Sequence, residues 1–317
     1  MDSLGLWLGF GAGLLLLLII DLIAFGRKPR PVSLRKAVAW SALWIGMSLV
    51  FCLWLWHHAG AKPALEFLSG YLVEKSLSVD NLFIFILIFR YFSIEPARQH
   101  RVLVWGIFGA LALRGLLIAG GAVLIKAFSW SLYILGAFLV FVALRLLFRK
   151  SKTVRVEANP VLRWFAKIFP TAQSDVSASF FVRQDGRWRV TPLLLALVAI
   201  ESADLLFALD SIPAVFGITR DPFIVFSSNA CAILGLRALY FVLAKWITQL
   251  RYLDTGVSLI LLFIGLEMLA SHWLEIPTVI SLAVIVFMLA AATVASLLDK
   301  RGPLRPGAGS ADSGIKP

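Results

Sequence analysis

The chain has 317 residues, of which 60% are hydrophobic and 15% charged, with a net charge of +12 and a mean hydropathy of +0.89. Soluble domains carry about 25% charged residues, so this composition excludes an ordinary soluble fold and points to a polytopic membrane protein. The basic excess does not indicate nucleic acid, because the Lys and Arg residues fall in the connections between apolar runs and not on one face.

A bilayer core takes about 20 apolar residues per helix. Nine such runs follow one another, at 4–24, 37–57, 65–90, 102–125, 129–148, 190–217, 222–247, 254–272 and 276–298. The expected fold is therefore all-α, with nine transmembrane helices in a domain over residues 1–298. The first run has no basic leader and no small-residue cleavage site, and reads as a retained anchor. Twenty-three of the 30 Lys and Arg lie in or at the edges of the connections after runs one, three, five and seven and in the tail, against Lys62, Lys126 and Arg220 on the other side. The positive-inside rule then places the N-terminus outside and the C-terminus in the cytoplasm.

The third and sixth runs repeat each other. Ser78-Val79-Asp80-Asn81-Leu82-Phe83 matches Ser202-Ala203-Asp204-Leu205-Leu206-Phe207, and each is followed by an acid–proline pair, Glu95-Pro96 and Asp221-Pro222. The following runs align Arg114 with Arg237, and Leu139–Arg145 resembles Leu262–Glu267 with one residue of slippage. Runs three to five (about 65–148) thus match runs six to eight (about 190–272). A three-span unit flips its orientation on duplication, which makes an inverted repeat of the kind found in secondary transporters. The acid–proline pairs read as helix starts, with the acid capping free amides and the proline at the first helical position.

Between the halves, residues 149–189 form a basic cytoplasmic loop. Its stretch 160–170 suits an amphipathic helix on the inner leaflet, and residues 178–190 alternate around Asp185-Gly186, a hairpin signal. The tail, 299–317, is rich in Gly, Pro and Ser and reads as disordered. Cys52 and Cys231 both fall in apolar runs and give no disulfide framework.

Seven acids lie within or near the runs, Asp21, Glu74, Asp80, Glu201, Asp204, Asp210 and Glu267, against four bases, Lys75, Arg114, Arg145 and Arg237. Each charge at mid-membrane depth costs about 3 kcal/mol even on the lenient insertion scale. The surplus acids must be protonated, hydrated or matched by a bound cation. Glu201, Asp204 and Ser211 share a helical face, and Pro213 is expected to kink the helix and free carbonyls beside Asp210. Carboxylate, amide, hydroxyl and carbonyl oxygens suit divalent ions such as Mn²⁺, Mg²⁺ or Ca²⁺. No nucleotide-binding loop is present to drive transport.

Glu74-Lys75-Ser76-Leu77-Ser78-Val79-Asp80-Asn81-Leu82-Phe83 resembles the first signature of the TerC/Alx family of integral membrane proteins. Ile200 through Glu201, Asp204, Phe207 and Asp210-Ser211-Ile212-Pro213-Ala214 to Thr219-Arg220-Asp221-Pro222-Phe223 resembles the second, which continues through Ser228-Asn229 and Ala232–Phe241. The resemblance spans roughly 65–270. It implies an inverted-repeat transporter with a role in metal-ion homeostasis, chiefly manganese efflux, and a link to tellurium resistance. It carries Glu74, Asp80, Glu201, Asp204 and Asp210 over as metal-site residues, with Asn81 as a weaker ligand. Glu267 stands where the family is expected to carry a Lys, so the ion pair of that Lys is not carried over.

The function expected is export of Mn²⁺ or a similar divalent cation across a bacterial inner membrane by alternating access, with proton exchange or down a metal gradient. The cation would be substrate, with no permanently bound cofactor. Membrane lipids would be its surroundings, and Arg114 and Arg237 would be the counter-charges of empty carboxylates. A tellurite or other oxyanion transporter using the two arginines, and a non-transport scaffold for a stress complex docked through 149–190, are the alternatives. Enzymatic chemistry is not expected, since Ser202 and Ser211 have no histidine at depth.

Overall fold

A computed structural model describes residues 4–26, 34–128, 130–148, 164, 169, 179–184, 187–243, 252–271, 273 and 276–299. Ten helices and one hairpin are found among them. The helices are α1 (Leu4–Gly26), α2 (Leu34–Ala59), α3 (Ala61–Tyr91), α4 (Pro96–Ala127), α5 (Ser131–Leu147), α6 (Pro192–Ile218), α7 (Pro222–Leu234), α8 (Leu236–Leu243), α9 (Leu253–Ala270) and α10 (Thr278–Leu298). Strands β1 (Phe181–Gln184) and β2 (Arg187–Val190) pair antiparallel, with Arg183 opposite Trp188 and Gln184 opposite Arg187.

Each of the nine apolar runs coincides with a helix, or with the pair α7–α8. By length and composition, α1, α2, α4, α6 and α10 can each cross a membrane, and α7–α8 makes a sixth crossing if the pair is one bent span. Helix α5 and the apolar part of α9 are shorter. Helix α3 has 31 residues, about 46 Å at 1.5 Å per residue, but carries charges in its middle. The all-helical form follows from the solvent: a helix pairs its backbone groups internally, and hydrocarbon offers no other partners.

Side-chain exposure sorts the helices. Helices α1, α2 and α10 present Leu8, Leu15, Leu53, Phe287 and Leu297 outward, as a lipid-facing surface does. Helices α3, α4, α6 and α7 form the interior. Helix α3 packs against α6 and α7, α4 against α6 and α7, and α5 against α9. The α5–α9 approach is set by two glycines. A Cβ on Gly136 would lie 3.1 Å from the carbonyl oxygen of Gly265, and one on Gly265 would lie 2.9 Å from that of Gly136. Small residues at helix contacts are how membrane helices gain close packing.

The junctions obey local chemistry. Helices α2 and α3 are separated by Gly60 alone, at φ 94°, a left-handed conformation that glycine adopts without a Cβ penalty. Asp221 caps α7 by accepting from the Phe223 amide at 2.9 Å. Glu95 makes no such side-chain cap. It pairs instead with Arg98 one turn on, at 3.5 Å, so the two acid–proline pairs act differently.

Helix α6 runs without a break from Pro192 to Ile218, with Pro213 inside it. The discontinuity lies at Gly235, where α7 and α8 meet at a 44° bend. The ammonium of Lys75 on α3 donates to the Ala232 carbonyl at 3.1 Å. It supplies a donor and a positive charge where α7 ends and its dipole is negative. Gly235 leaves room for it, since a Cβ there would be 2.8 Å from Nζ.

The hairpin closes onto the start of α6. The Thr191 amide and hydroxyl both donate to the Phe180 carbonyl, at 3.0 and 3.1 Å. The Asp185-Gly186 turn, the amphipathic stretch 160–170 except Trp164 and Phe169, and the tail beyond Asp299 lie outside the described residues.

Candidate functional site

Four interior helices deliver polar side chains to one point. Helix α4 contributes Arg114, α3 Glu74, α6 Asp204 and Ser211, and α7 Asn229. Asp204 and Ser211 are seven residues apart, two helical turns, and so share a face. All five are buried, with Arg114 only 1% exposed and Glu74 fully covered.

The guanidinium organises the cluster. It grips Asp204 with two parallel donors, NH2 to Oδ1 at 3.0 Å and Nε to Oδ2 at 3.3 Å. Such a fork suits the planar geometry of both groups. The other terminal nitrogen donates to Glu74 Oε1, to Asn229 Oδ1 at 3.0 Å and to Ser211 Oγ at 3.3 Å. Asn229 is held in this orientation because its amide nitrogen donates to the Val225 carbonyl at 3.1 Å. The second oxygen of Glu74 is buried with no hydrogen-bond partner among the described residues.

The charge count matters. Two carboxyl groups face one guanidinium, so the cluster holds one more acid than base, buried where water cannot screen charge. Without the guanidinium, it would present carboxylate, amide and hydroxyl oxygens, the donor set of hard divalent ions. Two of its acids are brought together, and among the described residues no three His, Cys, Asp or Glu side chains converge on a metal position.

The other expected site residues are placed variously. Asn81 is buried on α3, two turns from Glu74, and its amide nitrogen has no partner among the described residues. Glu201 is half-buried one turn before Asp204. Its carboxyl lies against Gly109 of α4, in the space any side chain there would need. Asp210 is half-buried elsewhere on α6, within the field of Arg145. Asp80 belongs to α3, and its side chain lies outside the described residues.

Arg237 is not in this cluster. It pairs with Asp21 of α1 at 2.6 Å, donates to the Asp21 carbonyl at 2.9 Å, and lies 3.2 Å from His100 Nδ1. The two arginines that align in sequence thus serve separate places. Glu267 of α9 accepts from Ser281 of α10 at 2.6 Å. A cavity of about 530 Å³ between α1, α2 and α7 is lined mainly by Gly, Leu, Phe and Trp, and offers no carboxylate.

Asn229 was not among the expected site residues, and Ser211 only as a neighbour of Asp204. The available signal was the pair Ser228-Asn229 inside an otherwise apolar run, since an amide at that depth is retained only with a partner.

The model of the integral membrane protein TerC family matches residues 59–303. An uncharacterized membrane protein of Myxococcus xanthus is 44% identical over 301 residues, covering 95% of this chain and 94% of that protein. Alx of Salmonella typhi and Alx of Escherichia coli strain K12, each described provisionally as a membrane-bound redox modulator, are 42% identical over 297 residues. In both cases 90% of this chain and 92% of the relative are covered. No solved structure matches the chain. The chain is therefore a multi-pass member of the TerC family of integral membrane proteins.

Proposed function

We propose that this protein exports Mn²⁺, or a divalent cation of similar hardness, from the cytoplasm across a bacterial inner membrane. The observation that carries the reading is the convergence of Glu74, Asp204, Ser211 and Asn229 on the buried Arg114. In the resting carrier, Arg114 stands in for the substrate cation and keeps the empty carboxylates ionised. An arriving divalent ion takes the carboxylates from the guanidinium, and the cluster becomes neutral once Arg114 has withdrawn. The buried free oxygen of Glu74 is the first ligand available to it. Asp80, Asn81, Glu201 and Asp210 line the same helices and are assigned to the approach or to proton exchange.

The reading includes nine crossings, the N-terminus outside and an inverted repeat. Supporting it, α3 packs with α7 as α4 packs with α6, the exchange of partners that two interlocked halves make. Moving a divalent cation outward against an inside-negative potential costs about 4.6 kcal/mol per 100 mV, so a metal gradient or inward protons must drive it. An oxyanion carrier would need an arginine open to an anion, and Arg114 and Arg237 are each engaged by carboxylate.

The test is cell-associated manganese in an efflux-deficient bacterium under manganese stress. Wild-type chain should lower it, and Glu74→Gln or Asp204→Asn, at equal membrane levels, should not. Lowering by both neutralised variants would remove the cluster from the pathway.

A further inference from the structure

One face of the short hairpin is buried at its base, where Val190 enters the core, and exposed beyond it at Phe181, Arg183 and Trp188. In an antiparallel pair, opposite residues and those two apart share a face, so Phe181, Arg183 and Trp188 lie together. Phe181 is 52% exposed, Trp188 is 68% exposed, and Arg183 is exposed beside them. The other face, with Val182, Gln184 and Arg189, is only half-exposed.

The hairpin is also held in place. Thr191 ties its base to the first turn of α6. At the same end the Arg101 guanidinium of α4 lies 5.2 Å from the Phe180 ring, an attractive arrangement. A segment clamped to the entry of a membrane-crossing helix sits at the level where that helix meets the headgroups. Trp and Arg are what such a level selects: the indole is apolar with one polar edge, and the guanidinium pairs with phosphate. The sequence around it, 149–189, holds nine Lys and Arg against Glu157, Asp175 and Asp185, so its charge complements an anionic surface.

We propose that the Phe181–Arg183–Trp188 face sits in the headgroup layer of the leaflet that α6 enters, and binds anionic phospholipid there. Lipid binding then fixes the start of α6, the helix that carries Asp204 and Ser211. The inference stands whether or not the chain carries a cation.

The test uses the full-length chain with Cys52→Ser and Cys231→Ser, bearing a nitroxide on Ser179→Cys beside the hairpin. The replaced side chain is exposed, so the fold does not depend on it. The chain is reconstituted in vesicles of phosphatidylcholine alone and of phosphatidylcholine mixed with phosphatidylglycerol. Collisions with a water-soluble paramagnetic reagent should fall in the anionic vesicles and recover at high salt. Adding Arg183→Glu, a change of two charges, should cut the difference at least about fivefold, since one basic residue near an anionic surface changes occupancy by about that factor. Equal water access in both vesicles would overturn the proposal. So would a lipid effect untouched by Arg183→Glu, or protection arising only when cytoplasmic protein is added.

Discussion

Arg114 is the residue on which the interior depends. Removing its charge leaves Glu74 and Asp204 facing each other in a buried site, and breaking a buried pair costs about 3–5 kcal/mol. Arg114→Leu should therefore unfold at markedly lower denaturant in detergent. Adding Glu74→Gln and Asp204→Asn to that variant should restore a large part of the loss, because the stranded charges are gone. Simply additive losses across the three substitutions would show that the groups do not act as a unit. The charges themselves are legible in the sequence, since acids in apolar runs are too costly to be incidental. Their pairing is not. The sequence alignment of the two halves sets Arg237 against Arg114, but Asp21, the partner of Arg237, stands on α1, 216 residues away.

At the scale of elements, close packing replaces the hydrophobic effect, which hydrocarbon does not supply between helices. The back-to-back glycines of α5 and α9 make this testable. Gly265→Ala places a methyl 2.9 Å from a backbone oxygen that cannot swing away, and overpacking of this kind costs about 1–3 kcal/mol. Gly136→Ala should behave alike. Gly46→Ala on α2, where a Cβ meets nothing within 4 Å, should leave thermal unfolding in detergent unchanged. Equal behaviour of all three would mean that α5 and α9 are not held by this contact. The apolar runs gave away the helices because a crossing needs a minimum length. The break between α7 and α8 was hidden, because Gly235 sits in a run of unbroken hydropathy and glycine is common in membrane helices. What marks the break is Lys75, 157 residues away from the carbonyl that it caps. Pro213, by contrast, lies within the unbroken α6, since a helix packed on its neighbours can absorb one missing amide.

For the whole molecule, the charge of the interior cluster and the direction of the chain combine into one claim. Under the proposed function, the site of two carboxylates and one tethered guanidinium exchanges that guanidinium for a mobile cation. The measurement closest to this claim is Mn²⁺ flux into vesicles that contain only the purified chain and a trapped manganese-sensitive dye. The account predicts saturable flux for the wild type and loss of flux in Asp204→Asn, with the protein folded and inserted in both. Flux at the same rate in both, or none in the wild type under either a metal or a proton gradient, would contradict it.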